Sequence, residues 1–459
     1  MKTDTIAAIA TAMAGSGIGI VRISGEEAVS ITDQIFHMPG GKKLSDMETH
    51  TIHYGHIRDG EEVIDEVMVL LMRGPRSYTR EDTVEIDCHG GVYVMKRILE
   101  TVIKYGARPA EPGEFTKRAF LNGRIDLSQA ESVIDVISAK NEFALKSSMK
   151  QLSGAVSDAV KEIRGEILHE IAFIESALDD PEHISLDGYG ERLELTIEGA
   201  VDRIEKLLAS SDNGRILKEG ISTVIVGKPN AGKSSLLNTL LGEERAIVTE
   251  IAGTTRDVLE EQINLNGIIL NIIDTAGIRD TDDIVEKIGV DKARKYVKDA
   301  DLILYVVDAS TNLDENDGEI MELLHGRRTI VLLNKSDLTA LTTAEDIRVH
   351  VDKDCPVISI SAREQKGIDV FTEQIRKMFF RGEVTFNDEV YITNIRHKTA
   401  LQEALSSLHL VEQSIADGMP EDFYSIDLMN AYEVLGTIIG EAVEDDLVNE
   451  IFSKFCMGK

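Results

Sequence analysis

A glycine-rich loop between a strand and a helix constrains the fold of this chain more than any other feature. Residues 227–234 read Gly-Lys-Pro-Asn-Ala-Gly-Lys-Ser and follow the apolar run at 223–226. In such a loop the backbone N–H groups and the N-terminus of the next helix surround phosphate groups, Lys233 neutralises the β- and γ-phosphates, and Ser234 binds Mg²⁺. The motif therefore predicts a strand–loop–helix unit that binds a nucleotide.

Short apolar runs alternate with helical segments from residue 220 to about 382. Runs at 269–273, 302–307 and 330–333 have the length and composition of buried strands. This alternation predicts an inserted Ras-like P-loop domain with a doubly wound parallel sheet. The loop alone would also fit a chance glycine-rich turn or an ATPase, so other motifs must identify the nucleotide.

Three further motifs occur in the order that a guanine-nucleotide site requires. Residues 253–257 could place a switch threonine at Mg²⁺ and the γ-phosphate, and residues 274–277 (Asp-Thr-Ala-Gly) end a strand with a carboxylate near the metal. Residues 334–337 (Asn-Lys-Ser-Asp) end another strand. The Asp337 carboxylate can accept two N–H donors from guanine, and adenine offers no such pair. The backbone of residues 361–362 could reach the base oxygen, so the motifs together predict GTP.

The predicted contacts to the nucleotide lie in these motifs and in the residues next to them. The predicted GTP-binding residues are Asn230, Ala231, Gly232, Lys233, Ser234, Ser235, Thr249, Glu250, Ile251, Ala252, Gly253, Thr254, Thr255, Asp274, Thr275, Ala276, Gly277, Asn334, Lys335, Asp337, Ser361 and Ala362.

The residue after this Asp-Thr-Ala-Gly motif bears on catalysis. Ras-like enzymes carry a glutamine there to orient the attacking water, but this chain has Ile278, which cannot do so. Glu286, at the end of the acidic stretch 280–286, could act as the general base or orient it after the loop folds over. The alternative for this stretch is an ordinary solvated loop.

The transition state also needs a cation besides Lys233. Asn230 could hold a monovalent cation beside the phosphates, together with oxygens of Thr249, Ile251 and Thr254. A turn-forming role is the alternative for Asn230, and the residue types alone favour that alternative.

Composition narrows the class of protein. The 459 residues suggest about two to four domains. The formal charge of −32 repels polyanions, so any nucleic-acid partner must meet a local basic patch or a helper subunit. No apolar run approaches the roughly 18 residues of a membrane helix, and no secretory signal is predicted. Three cysteines without paired spacing fit neither a disulfide framework nor a zinc site, so we expect a cytoplasmic protein without a membrane partner.

Helical spacing surrounds the predicted nucleotide-binding domain on both sides. An apolar stripe runs from Val156 to Leu178, residues 128–131 (Ser-Gln-Ala-Glu) suggest a capping box, and helical spacing returns from Leu401 to Ile415. We therefore expect a multidomain protein with α/β and purely α parts. Its predicted domains are an N-terminal α+β domain at 1–121, a discontinuous helical domain at 122–219 and 383–459, and the GTPase domain at 220–382.

Several further blocks resemble one family over the whole chain. The loop and switch motifs are similar to the GTPase domain of the bacterial tRNA-modification GTPases called MnmE or TrmE. The blocks that resemble their first domain and their C-terminal signature are residues 19–25, 88–91, 108–115, 119–124 and 455–459. These blocks carry the resemblance, because the GTPase motifs alone would fit several translation-linked GTPases.

The resemblance implies a partner, a substrate and cofactors. Members of the family are homodimers that bind a tetrahydrofolate derivative in the N-terminal domain and hydrolyse GTP with K⁺ in place of an arginine finger. With the flavoprotein MnmG (GidA), in a heterotetramer, they add an aminomethyl or carboxymethylaminomethyl group to carbon 5 of the wobble uridine of tRNA. The one-carbon donor would be a 5-formyl or 5,10-methylene form.

Site residues carry over from the resemblance by position. The K⁺ site maps onto Asn230, Thr249, Ile251 and Thr254, and the Mg²⁺ site onto Ser234 and Thr255. Glu286 maps onto the glutamate that positions the attacking water. The implied catalytic residues are thus Glu286, Lys233 and Asn230.

Folate binding carries over to Arg22, Glu85, Arg124 and Lys459. A carboxylate such as Glu85 can accept the paired donors of a pterin edge, and cations can hold the acidic tail of the ligand. Sheet-edge charges at Arg22 and Glu85, and a turn flank at Arg124, are the alternatives. Cys456 is a candidate for the chemistry, with a small buried apolar residue as an equal alternative.

Residues 94–124 are a local exception to the negative charge. They hold seven basic side chains against three acidic ones, which suggests a surface for tRNA, with an ordinary solvated helix face as the alternative. The main alternative function for the whole chain is a GTP-controlled ribosome or RNA assembly factor without folate chemistry. Such a factor should carry a dedicated RNA-binding domain after the GTPase domain, and residues 383–459 offer nothing like one.

Overall fold

A computed structural model describes residues 4–243, 261–273, 300–380, 392–441, 445–455 and 458. The chain divides into two compact units. The first unit comprises Met1–Ser138, Ser148–Ile204 and Thr399–Lys459, and the second comprises Ala139–Ser147 and Glu205–Lys398. The three domain boundaries expected from the sequence remain a prediction.

The described residues form two sheets. Their strands are β1 Ile6–Ile9, β2 Gly19–Ser24, β3 Phe36–His37, β4 Thr51–Asp59, β5 Glu62–Met72, β6 Thr83–Cys88, β7 Arg108–Pro109, β8 Ile221–Val226, β9 Glu261–Leu265, β10 Ile268–Ile272, β11 Leu302–Asp308, β12 Thr329–Asn334 and β13 Val357–Ser359. The first sheet has the order β3-β4-β5-β6-β2-β1-β7, and the second has the order β13-β12-β11-β8-β10-β9.

The α-helices of the described residues are numbered here in chain order. They are α1 Ala28–Ile35, α2 Val92–Lys104, α3 Glu114–Leu121, α4 Leu127–Ser138, α5 Glu142–Leu152, α6 Ala155–Asp179, α7 Tyr189–Ala209, α8 Ser211–Glu219, α9 Lys233–Glu243, α10 Glu315–Leu324, α11 Ala344–Arg348, α12 Ile368–Phe380, α13 Ile395–Ala416, α14 Glu421–Ile439 and α15 Asp445–Ser453. None of them is long and apolar enough to cross a membrane.

The sheet of the first unit is antiparallel except where β1 pairs with β7. The two faces of this sheet differ, as strand β6 illustrates. Its residues Val84, Ile86 and Cys88 are buried in the core with α1 and α2, and Glu85 points to the opposite face because side chains alternate along a strand. The register pairs Arg22 of β2 with Glu85 of β6. The alternation thus places a cation and a carboxylate side by side on the face away from this core.

The helices of the first unit pack along apolar stripes. In α6 the predicted positions from Val156 to Ile174 are buried, but Leu178 is 46% exposed, so the stripe ends one turn earlier than expected. The capping box of α4 is also shifted. Asp126 and Gln129 exchange backbone and side-chain hydrogen bonds, and Ser128 only donates to the Asp126 carboxylate, because Asp126 is the residue that precedes the helix.

The sheet of the second unit is parallel except for the β9–β10 pair. Its strands are almost continuously apolar, and β12 is buried at every position. Such strands need helices on both faces, as the alternation of the sequence predicted. The carboxyl ends of β8, β11 and β12 therefore form one edge of the sheet, where ligands of doubly wound folds bind.

Candidate functional site

The glycine-rich loop joins β8 to α9 at this edge of the second sheet. Gly227 has φ of +150°, and a Cβ there would overlap the carbonyl oxygen of Val306 on β11, so the close approach requires glycine. Asn230 has φ of 62°, which asparagine tolerates better than most residues. Its backbone therefore serves the turn, as expected from the residue type.

The environment of Lys233 favours the binding of an anion. Its Nζ donates to the carbonyl oxygens of Gly227 and Lys228, both at 2.8 Å. Burial lowers the pKa of Lys233, and no carboxylate of the described residues pairs with it. Burial removes water from the Lys233 ammonium group, and the two carbonyl oxygens do not neutralise its charge. A bound phosphate would neutralise that charge and so stabilise the protonated form.

Asn334 connects three parts of the edge. It is 2% exposed, and its Nδ2 donates to the carbonyl oxygen of Ala231 while its Oδ1 accepts from the backbone N–H of Ala362. The Cβ of any residue replacing Gly232 would overlap this amide. The phosphate loop, β12 and the segment after β13 are thus held together by one side chain.

The residues expected to recognise the base lie beside Asn334. The Ser361 hydroxyl donates to Asp337 Oδ1 at 2.7 Å, and this hydrogen bond lowers the pKa of Asp337. An ionised carboxylate can only accept, which suits the two adjacent N–H donors of guanine. Lys335 has φ of 65° and pairs with Asp308 at 2.5 Å.

Half of the predicted nucleotide contacts lie in the described residues, at the carboxyl edge of the second sheet. These are Asn230, Ala231, Gly232, Lys233, Ser234, Ser235, Asn334, Lys335, Asp337, Ser361 and Ala362. The remaining predicted residues lie outside the described ranges, namely Thr249, Glu250, Ile251, Ala252, Gly253, Thr254, Thr255, Asp274, Thr275, Ala276, Gly277 and Glu286. The Mg²⁺ and K⁺ assignments therefore stay predictions.

A second cluster of predicted residues lies in the first unit. Arg22 Nε donates to Glu85 Oε1 at 2.6 Å, and Arg22 Nη1 donates to the carbonyl oxygen of Gly458 at 3.0 Å. The two side chains are 18% and 15% exposed. Gly458 has φ of +87°, and a Cβ there would overlap the carbonyl oxygen of Ile9 on β1. One end of the sequence is thereby seated against the first strand.

Two aromatic residues flank this pair, and sequence reasoning missed both. The Arg22 guanidinium lies 5.9 Å from the ring centre of Tyr78 and 5.6 Å from that of Phe115. Arg124 stacks over Tyr78 at 4.7 Å, which brings a third predicted folate residue to the cluster. Lys459 and Cys456 lie outside the described residues. Phe115 lies in block 108–115, so the family resemblance contained a signal for its ring, whereas no motif pointed to Tyr78.

The basic stretch 94–124 is largely neutralised by acids distant in sequence. Arg97 pairs with Glu62, and Lys104 pairs with Asp59. Four of its seven cations form such pairs, the others being Arg108 with Asp4 and Glu114, and Arg118 with Asp4, Glu81 and Glu114. Counting charges in the window alone overestimated the positive surface, because Asp4, Asp59, Glu62 and Glu81 lie outside it.

The described cysteines are poor nucleophiles. Burial raises the pKa of Cys88 and of Cys355 to about 11. At neutral pH both are thiols rather than thiolates. Among the described residues no group of His, Cys, Asp and Glu side chains could hold a metal ion.

The parallel sheet, the phosphate loop and the Asn334–Asp337 edge define a P-loop protein that binds GTP. Family models extend this to the rest of the chain. The model described as the MnmE helical domain matches residues 127–456, and that of the GTP-binding protein TrmE N-terminus matches residues 5–124.

Similar proteins match from end to end. A tRNA modification GTPase MnmE from Lachnoclostridium phytofermentans is 61% identical over 460 residues, covering 100% of both chains. Proteins of the same description from Clostridioides difficile and Bacillus subtilis are 50% and 47% identical, each over 99% of this chain and 99% and 100% of their own. The chain belongs to the MnmE family of tRNA modification GTPases, and it is a GTPase.

Proposed function

We propose that this protein is a K⁺-dependent GTPase that modifies tRNA together with the flavoprotein MnmG (GidA). In this proposal the pair adds an aminomethyl or carboxymethylaminomethyl group to carbon 5 of the wobble uridine. The carbon comes from a tetrahydrofolate derivative. The observation that carries the proposal is the Arg22–Glu85 cluster, in which a partly exposed carboxylate meets two aromatic rings and a second cation from Arg124.

The GTPase edge suits the hydrolysis of GTP. Lys233 holds the negative charge of the β- and γ-phosphates, and Asp337 selects guanine. We assign Mg²⁺ to Ser234 and Thr255, and K⁺ to Asn230, Thr249, Ile251 and Thr254. Both cations supply positive charge to the phosphates when bound. Glu286 orients the attacking water in place of the glutamine that Ile278 replaces.

The Arg22–Glu85 cluster fits a reduced folate in chemistry. Glu85 offers a partly exposed carboxylate for the paired N–H donors of a pterin, and Tyr78 and Phe115 offer apolar ring surface beside it. Arg124 adds a cation for the acidic part of the ligand, and Lys459 is proposed to add another. The ligand supplies a one-carbon unit when bound. This chain's residues bind and orient it.

The assembly follows from the same proposal. We place the protein in the cytoplasm as a homodimer that joins MnmG in a heterotetramer and acts on tRNA. We further propose the domain division at residues 121, 219 and 382. The pairing of most cations in 94–124 agrees with a partner subunit that supplies much of the tRNA surface.

Titration of 5-formyltetrahydrofolate by calorimetry tests the proposal. Wild type should bind, and Glu85→Gln should bind at least about tenfold more weakly because a charged hydrogen bond is lost. Glu62→Gln is the matched control, since Glu62 is 67% exposed on β5 and pairs only with Arg97 among the described residues. It should bind like wild type. Absence of binding to wild type would contradict the proposal and favour a GTP-controlled ribosome or RNA assembly factor.

A further inference from the structure

The second residue of the phosphate loop carries a charge that GTP binding does not explain. Lys228 Nζ lies 2.6 Å from Asp317 and 2.8 Å from Asp314, and its side chain is only 18% exposed. Both acids belong to the start of α10, where Asp314 is the N-cap. The ion pair therefore joins the phosphate loop to a helix that follows β11.

The acid at the centre of this contact is fully enclosed. Asp317 has a side chain that is 2% exposed, and its oxygens accept from Lys228, from the Tyr305 hydroxyl at 2.8 Å and from the backbone N–H of Asp314 at 3.0 Å. Tyr305 itself is 0% exposed on β11. A carboxylate with three donors at fixed positions has little freedom to move, so Lys228 is held in one place.

The pKa values of Lys228 and Asp314 are shifted in the directions expected for an ion pair. Burial lowers the pKa of Lys228, but the hydrogen bonds with Asp314 and Asp317 outweigh it and the pKa is raised. The pKa of Asp314 is lowered, chiefly by its hydrogen bond from Lys228. Lys233, five residues later, shows the opposite behaviour. Lys228 is thus paired with carboxylates of the protein, whereas the charge of Lys233 is available to the phosphates of the nucleotide.

The backbone of Lys228 links the two lysines. Its carbonyl oxygen is one of the two acceptors that hold Lys233 Nζ, at 2.8 Å. The other acceptor belongs to Gly227, whose position is set by its contact with Val306. A shift of the Lys228 side chain would move its own carbonyl and hence the ammonium group that meets the phosphates.

We propose that Lys228, Asp317 and Tyr305 form a tether that fixes the phosphate loop for GTP binding and hydrolysis. Lys228 is a positioning residue, acting through Lys233 rather than on the substrate. Buried ion pairs stabilise little compared with apolar packing, so stability alone does not account for this one. A misplacement of about 1 Å in a catalytic group can lower a rate by about a hundredfold.

The experiment uses the full chain and three readouts: the Kd of a fluorescent GDP analogue, kcat and KM for GTP, and the melting temperature. Lys228→Met should raise the Kd at least about tenfold, lower kcat/KM by about ten- to a hundredfold and lower the melting temperature, because Asp317 stays buried without its cation. Lys228→Arg keeps a cation that can donate to both carboxylates and should remain within about threefold of wild type in both binding and turnover.

A double variant separates positioning from stability. Lys228→Met/Asp317→Asn removes both charges, so its melting temperature should return towards wild type while its Kd and kcat/KM stay impaired. Recovery of all three readouts would overturn the proposal, as would wild-type affinity and turnover in Lys228→Met.

Two further variants keep the test decisive if Lys228→Met does not fold. Tyr305→Phe removes one donor to Asp317 and should lower kcat/KM at least about threefold, and unchanged kcat/KM there and in the double variant would also overturn the proposal. Arg215→Met is the control, since Arg215 pairs with Asp301 at the opposite end of β11 and should affect stability only.

Discussion

Asp337 is the residue that we propose selects the base of the bound nucleotide. Its carboxylate is held by the Ser361 hydroxyl, and Ser361 in turn is fully buried and accepts from the backbone N–H of Glu364. The hydrogen bond from Ser361 lowers the pKa of Asp337 from its ordinary value, so the side chain is an ionised acceptor at neutral pH. In this proposal the choice of guanine rests on one ionised group that the Ser361 hydroxyl orients.

Replacing this carboxylate by an amide should change the preferred base. Asp337→Asn offers one acceptor and one donor, which matches the N–H and carbonyl of xanthine rather than the two donors of guanine. We expect at least about a tenfold loss of affinity for GTP, because a charged hydrogen bond is removed, with a relative gain for xanthosine triphosphate.

Competition binding with both nucleotides measures this switch. Asp354→Asn, an exposed acid of the same unit, is the control and should bind as wild type does. An Asp337→Asn variant that keeps wild-type preference for GTP would show that another group reads the base.

At the scale of elements, α3 and α15 illustrate how a glycine can set a packing distance. Gly113 is the N-cap of α3 with φ of 69°, and a Cβ there would lie 2.6 Å from the carbonyl oxygen of Phe452 and 2.9 Å from the Cβ of Phe455. Phe452 and Phe455 are buried against Leu127 and Ala130 of α4. Helix α15 therefore packs directly against the N-terminus of α3.

A methyl group at this position should separate the two helices. In Gly113→Ala the left-handed backbone is strained and Phe452 is displaced. We therefore expect a loss of roughly 2–4 kcal/mol in the free energy of unfolding. Gly123→Ala is a matched control, since Gly123 has φ of 68° and its Cβ would contact only Arg80 at 3.7 Å.

The control should lose only the backbone strain, about 1 kcal/mol. Urea unfolding of both variants measures the difference. Equal losses would show that the contact between α3 and α15 contributes nothing at Gly113.

The sequence predicted the elements better than the contacts between them. Apolar runs located β8, β10, β11 and β12 closely, because strands buried on both faces leave a strong local pattern. It could not predict Tyr78 beside Arg22, or Glu81 beside Arg118, since these pairs depend on how distant segments meet. The shift of the α4 cap from Ser128 to Asp126 has a local cause, because two residues with suitable side chains stand two positions apart.

At the scale of the whole molecule, two clusters of candidate binding residues lie in two different units of one chain. The GTP edge belongs to the second unit, and the Arg22–Glu85 cluster belongs to the first. Many cations of this acidic chain serve internal ion pairs, and Arg118 is an example, with a side chain that is 8% exposed between Glu81 and Glu114. A chain with a formal charge of −32 repels a polyanion, which agrees with the proposal that a partner subunit supplies much of the tRNA surface.

We propose that both clusters serve one modification of tRNA. The most direct measurement is mass spectrometry of wobble nucleosides from cells whose own gene is replaced by wild type, Glu85→Gln or Lys233→Ala, with each protein present at equal level. We predict that wild type yields uridine substituted at carbon 5 and that both variants lose it, because one lacks the folate contact and the other the phosphate contact. Full modification in cells that carry either variant would show that the altered cluster is not needed for the modification.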